Sequence, residues 1–169
     1  MINDPINLTI KKGSSQIFYY ENTGEQAQVY GIELEGKINM LKSLTRAHKL
    51  NLSMNATKMW FNQDILEDFQ YNNKTEIGLE GAADFITNAS LSYRHISERP
   101  FTATITGNYS SDKIFALGAS EDVLQSDILF NNEIIEKGFV KLDFVLSQQI
   151  TDRISVKFSA KNLADPSIE

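Results

Sequence analysis

The chain has 169 residues, 41% of them hydrophobic and 22% charged, with a net charge of −6 and no cysteine. That length can bury one adequate core, but no run approaches the roughly 18 apolar residues of a membrane-spanning helix, and the amino end shows no charged-then-apolar leader. Disulfides and thiolate metal sites are excluded, and without a basic cluster the acidic balance argues against a nucleic-acid partner, whose phosphates would need neutralising.

Period-two alternation runs along almost the whole chain, and it predicts an all-β fold of about seven long strands. They are placed near 2–12, 26–41, 47–61, 78–96, 100–119, 136–149 and 153–164. In the second, Tyr30, Ile32, Leu34, Ile38 and Met40 share one parity, while Glu33, Glu35 and Lys37 share the other. A slip of one residue would put three charges on the apolar face. In the third, Leu50, Leu52, Met54, Ala56 and Trp60 oppose Asn51, Ser53, Asn55 and Thr57, with Lys58 a misfit on the apolar side. The fourth sets Phe85, Ala89, Leu91 and Tyr93 against Asn88, Ser90, Ser92 and Arg94. In the fifth, the parity of Phe101, Ala103, Ile105 and Tyr109 continues through Phe115, Leu117 and Ala119, across Ser110, Ser111 and Asp112. One strand over 100–119 therefore fits better than a hairpin, with Lys113 and Ile114 as its exceptions. The last two place Val140, Leu142, Phe144 and Leu146, then Ile154, Val156, Phe158 and Ala160, opposite Lys141, Asp143, Ser147, Lys157 and Lys161.

Both a soluble sandwich and a membrane barrel produce such faces. Three features favour the barrel. The strands exceed the usual 5 to 6 residues of soluble sheets and reach the roughly 9 to 11 that a tilted bilayer span needs. Long connections at 13–25, 62–77 and 120–135 alternate with short ones at 42–46, 97–99 and 150–152, as extracellular loops and periplasmic turns do. Trp60, Phe61, Phe85, Tyr93, Phe101 and Phe139 lie near strand ends, where interfacial girdles would hold them. The apolar faces are then expected to be convex and to meet lipid, because a lysine facing lipid at midplane costs roughly 2 to 4 kcal/mol. The polar faces should be concave. Neighbouring strands should pair antiparallel in a curved, open meander whose first and last strands keep free edges.

The stretch "ENTGEQAQVYGIELEGKINML" resembles a recurrent strand entry of TonB-dependent outer-membrane receptors. "GLEGAADFITNASLSY", "NYSSDKIFALG" and "LDFVLSQQITDRISVKFSAKNLADP" resemble later strands of the same barrels in the same order, over roughly residues 5–166. The likeness is greatest to the larger receptors of Bacteroidetes-type bacteria. It implies an outer-membrane location, a plug domain and further barrel strands as partners, contact with TonB through that plug, and uptake of a scarce small solute such as a siderophore or glycan. The expected domain is residues 1–169, a partial barrel without plug or final strand: complete bacterial barrels have even strand numbers, and 22 strands enclose a plugged lumen. A soluble β-sandwich binding or adhesion module is the alternative, favoured by detergent-free solubility as a monomer. An outer-membrane enzyme is a further rival, but no Ser/His/Asp grouping suggests one.

No G-x-S-x-G, H-E-x-x-H or phosphate loop occurs, so no catalytic residue, metal site or cofactor is expected. His48 and His95 lack a ligand partner at sequence spacing and read as ordinary interface or lumen residues. Asp64, Glu67 and Asp68 lack the glycine and spacing of a calcium loop. Six Asn-x-Ser/Thr triplets start at Asn7, Asn51, Asn55, Asn73, Asn88 and Asn108. Five lie inside strands, where two residues of one parity simply share the polar face, so they read as lumen chemistry rather than glycosylation. The candidate ligand-binding residues are the loop aromatics Tyr19, Tyr20, Phe69 and Tyr71.

Overall fold

Alternating sequence becomes strand along most of the chain. The computed structural model describes residues 1–11, 17–42, 47–71, 74–118 and 132–165. Its strands are β1 (Ile2–Asn3), β2 (Ile6–Ile10), β3 (Phe18–Asn22), β4 (Gln26–Lys42), β5 (His48–Asp64), β6 (Glu76–Ile77), β7 (Phe85–His95), β8 (Phe101–Ser110), β9 (Lys113–Ala116), β10 (Ile134–Glu136), β11 (Phe139–Thr151) and β12 (Ile154–Ala160). A 3-10 turn at Glu67–Phe69 is the one helical element among the described residues.

The long strands β4, β5, β7, β8, β11 and β12 pair in that order, each antiparallel to its neighbours, in a single meander. The two-residue turn at Asp152 and Arg153 and the short connection from Ile96 to Pro100 leave no room for a crossover. The turn expected at 42–46 lies, from 43 onward, outside the described residues. Among the described residues no ladder joins β4 to β12, so the sheet has two free edges as expected.

The outer ends of the strands differ from the alternation pattern, for local reasons. The expected strand at 2–12 breaks at Asp4, which has a φ of 51°, and at Pro5, which cannot donate a ladder hydrogen bond. β1 stays on β4, whereas β2 pairs with β3. The connection expected at 13–25 therefore contains a strand. The expected strand at 78–96 begins only at Phe85, after a turn at Gly81, whose φ of 72° suits glycine.

The expected strand at 100–119 does not reverse, but it does not stay in one ladder either. β8 pairs with β11 through Ser110 and Phe139, and β9 resumes against β10 with Lys113 opposite Glu136, in the same register. Parity survives because the ribbon is continuous, while the intervening backbone turns to side chains. Asp112 accepts from the Gly138 N–H at 2.7 Å and from Lys137 Nζ at 3.0 Å. Gly138 is required there, since a Cβ would approach the Ser110 carbonyl oxygen to 2.5 Å.

Among the described residues nothing covers the apolar face of the meander. One register row reads Ile38, Leu52, Leu91, Ile105, Phe144 and Ala160 across six strands. Leu34 is 70% exposed, Phe158 56% and Leu91 38%. A sandwich would bury these side chains against a second sheet about 10 Å away, and among the described residues no such sheet packs there, so the β-sandwich alternative is not the fold adopted. The buried hydrophobic residues lie instead at the long-loop end: Ile65, Tyr71, Ile77 and Leu117 form a cluster, with Phe69 and Ile114 packed on it.

Candidate functional site

The polar face is ordered row by row. Glu35, Asn55, Asn88, Asn108 and Lys141 occupy one register row. Asn88 Nδ2 donates to Asn55 Oδ1 at 2.7 Å, and Asn108 Nδ2 donates to Asn88 Oδ1. Next toward the short turns come Lys37, Ser53, Ser90, Thr106 and Asp143, then Asn39, Asn51, Ser92, Thr104, Val145 and Ser159. The Ser92 and Thr104 hydroxyls bond at 3.0 Å. Amides and hydroxyls thus satisfy one another across strands and still offer groups to water, as the wall of a wet interior requires. This accounts for four of the Asn-x-Ser/Thr triplets; Asn7 bonds the Thr23 hydroxyl at 2.6 Å instead, and Asn73 lies outside the described residues.

Above this wall, segments from three connections lock together. Leu117 N–H donates to the Leu8 carbonyl at 2.8 Å, the Leu8 N–H donates to Glu80, and Gly81 N–H donates to the Ile114 carbonyl at 2.8 Å. Phe18 and Phe115 meet edge-on at 6.5 Å. Lys74 pairs with Glu133 at 2.5 Å and lies 5.7 Å from the Tyr71 ring centroid. Burial, with Glu133 beside it, pushes the Tyr71 phenol far above its ordinary range. The described segments of the platform are packed on one another.

A family model described as TonB dependent receptor-like, beta-barrel matches residues 2–163. The chain belongs to that family. No curated protein and no solved structure matches it. The family fixes the medium, since TonB-dependent receptor barrels lie in the bacterial outer membrane, and the exposed apolar face is therefore the lipid face.

Aromatics mark both limits of that face. Tyr30 stacks on Trp60 at 5.6 Å, with Phe85 and Tyr109 nearby in register and 6.2 Å apart. At the other end His48, Tyr93, His95 and Phe101 cluster. At about 3.3 Å per residue and a tilt near 45°, Phe101 to Tyr109 spans roughly 19 Å of height and His48 to Trp60 roughly 28 Å, which brackets the about 25 Å apolar band of such barrels. Phe61 and Phe139 do not belong to these girdles: the register places them opposite Val29 and Ser110, on the lumen parity.

The two histidines, unpartnered by sequence spacing, are cross-strand partners. Their rings stack at 4.7 Å, and His48 Nδ1 lies 2.8 Å from the Tyr93 hydroxyl. Stacked in register, the pair joins Tyr93 and Phe101 at this limit of the apolar face. Asp64 accepts from the Gln26 N–H at 2.7 Å, whereas Glu67 and Asp68 are exposed in the 3-10 turn.

The four candidate ligand residues are not brought together. Tyr71 is 1% exposed inside the platform core, and Phe69 packs on that core. Tyr19 is half-buried, and Tyr20 is 69% exposed on β3. A nearby cleft of about 170 Å³, lined by Phe61, Leu79, Ala82, Asp84, Lys113 and Ile135 among others, is smaller than the roughly 300 to 1,000 Å³ of most ligand pockets.

Lys58, the misfit of the lipid face, is neutralised at the outer interface. Its ammonium bonds Asp84, which also accepts from the Ser111 hydroxyl, and these bonds hold the Asp84 carboxyl below its ordinary range. A depressed folded-state value stabilises above the unfolded one, near 3.9, and that stability is lost as pH falls through the lower folded value. Emission from Trp60, the sole tryptophan, is therefore expected to shift with a midpoint below about 3.9. In Asp84→Asn this transition should be missing; an unchanged one would assign it to other groups.

Proposed function

We propose that the chain supplies part of the wall and of the extracellular platform of a receptor that takes up a scarce solute, a siderophore or glycan or similar, with energy transmitted by TonB through a plug domain. The observation that carries this reading is the six-strand apolar band, open along its whole width and bounded by aromatics, beneath a separately packed platform. Such a band fits lipid, and the polar rows behind it fit a wet or protein-filled lumen.

Backbone pairing extends the reading to the rest of the barrel. Among the described residues, and apart from the short contact with β1, the outer edge of β4 is open, as is that of β12. In hydrocarbon each unpaired N–H and C=O costs several kcal/mol, so further strands complete the wall along both edges. The platform offers Tyr20 as the aromatic with the most open surface for a solute. Gate and energy coupling belong to the plug, and the wall carries no chemistry of its own.

Spin labels in the intact receptor in bilayers test the reading. Labels at Leu142, Phe144, Val156 and Phe158 should be relaxed by oxygen dissolved in the lipid, whereas labels at Asp143 and Lys157 should respond to a water-soluble paramagnet. The reverse pattern would show that the faces are exchanged and would sink the receptor wall.

A further inference from the structure

The polar rows of the wall differ in charge. Two contain both signs, Glu35 with Lys141 and Lys37 with Asp143, and the row of Asn39 and Asn51 contains no charge. The row nearest the short turns is different. It reads Lys49, Arg94, Thr102, Ser147 and Lys157 across five of the long strands: three bases, two hydroxyls and no acid.

One feature makes this more than a composition accident. Lys49 and Arg94 are direct cross-strand neighbours, a like-charge pairing that destabilises an isolated sheet. Lys49, Arg94 and Lys157 are exposed, and none forms an ion pair among the described residues.

We propose that this row is the seat of an acidic patch on the plug domain of the intact receptor, an inference that rests on the receptor reading above. Charge complementarity selects an anion, and the row's position on the lumen parity selects one inside the wall. Length selects a polypeptide: four strand intervals of about 4.8 Å make an arc of roughly 19 Å, which a small solute could not span. The hydroxyls of Thr102 and Ser147 suit neutral hydrogen-bonding groups between the carboxylates.

A carbodiimide, which joins an amine directly to a contacting carboxylate, tests this on the intact receptor. Lys137 and Asp112, 3.0 Å apart, provide the internal control. Mass spectrometry should find Lys49 or Lys157 joined to an aspartate or glutamate of the plug. Lys49→Arg, which keeps the charge but removes the reactive amine, should lose the Lys49 product and keep the plug seated. Lys49→Glu combined with Arg94→Glu should make the plug at least tenfold more sensitive to protease. Control product without any link from the row to a plug whose peptides are detected, or links from the row to a separate protein, would overturn the seat while leaving the receptor reading intact. A full-length protein without a plug would overturn both.

Discussion

Replacing Leu91 by arginine is expected to destabilise the inserted barrel by about 2 to 4 kcal/mol, the depth-dependent penalty for a charge at midplane on the lipid face. Leu91 is the residue to choose because it sits on β7 in the middle of the row from Ile38 to Ala160, and it is 38% exposed without a second sheet above it. If the medium there were water, the same change would be almost neutral, as surface substitutions are. Ser90→Arg, one residue away on the polar parity, is the matched control. It should cost far less, since its guanidinium would enter the lumen among Ser53, Thr106 and Asp143. The measurement is the urea midpoint of the intact receptor in bilayers, read by the loss of its heat-modifiable folded band on a gel. Equal costs for Leu91→Arg and Ser90→Arg would contradict the assignment of faces.

The sheet was legible because alternation is local. Leu50, Leu52 and Met54 need no distant residue to declare their side, and the tight turns at 97–99 and 150–152 fix which strands adjoin. Interruptions were less legible where backbone geometry, not hydropathy, ends a ladder. Parity carries through Ser111 and Asp112 although their backbone leaves the ladder, because the ribbon resumes in the same register at Lys113 and Ile114, before a shift between Ile135 and Ile134. β3 was missed although Phe18 and Tyr20 alternate with Tyr19 and Glu21, since its partner β2 lies behind the break at Asp4.

Contacts across long connections could not be read from the sequence. His48 meets His95, and Asn55 meets Asn88, only once β5 and β7 take their register, and the residues between these strands number too many for a turn rule to set it. The basic row of Lys49, Arg94 and Lys157 depends on the same register. For the aromatics, composition says only that they prefer contact. Tyr20 and Tyr71 look alike as loop residues, and packing separates them: one is 69% exposed and the other 1%.

That separation makes Tyr71→Ala the second large effect. The ring touches the core made by Ile65, Ile77 and Leu117, and Lys74 lies over its face. Deleting a buried ring of this size costs about 3 to 5 kcal/mol when the cavity does not collapse. The loss should be greatest in the platform, because its core joins the meander only at the outer end of β5, where Ile77 pairs with Gln63, among the described residues, while the lipid-facing strands are stabilised by ladder bonds and solvation in lipid. Hydrogen exchange of the intact receptor should show faster exchange at Ile65, Gly81 and Leu117, whose amides bond the Thr75, Ile114 and Leu8 carbonyls. Amides of β7 and β8 between Ser90 and Thr106 should remain protected. Tyr71→Phe keeps the ring and should retain most of the protection. Were the alanine variant to loosen β7 and β8 as much as the platform, the two would be one cooperative unit, and the extracellular loops could not rearrange around a solute without opening the wall.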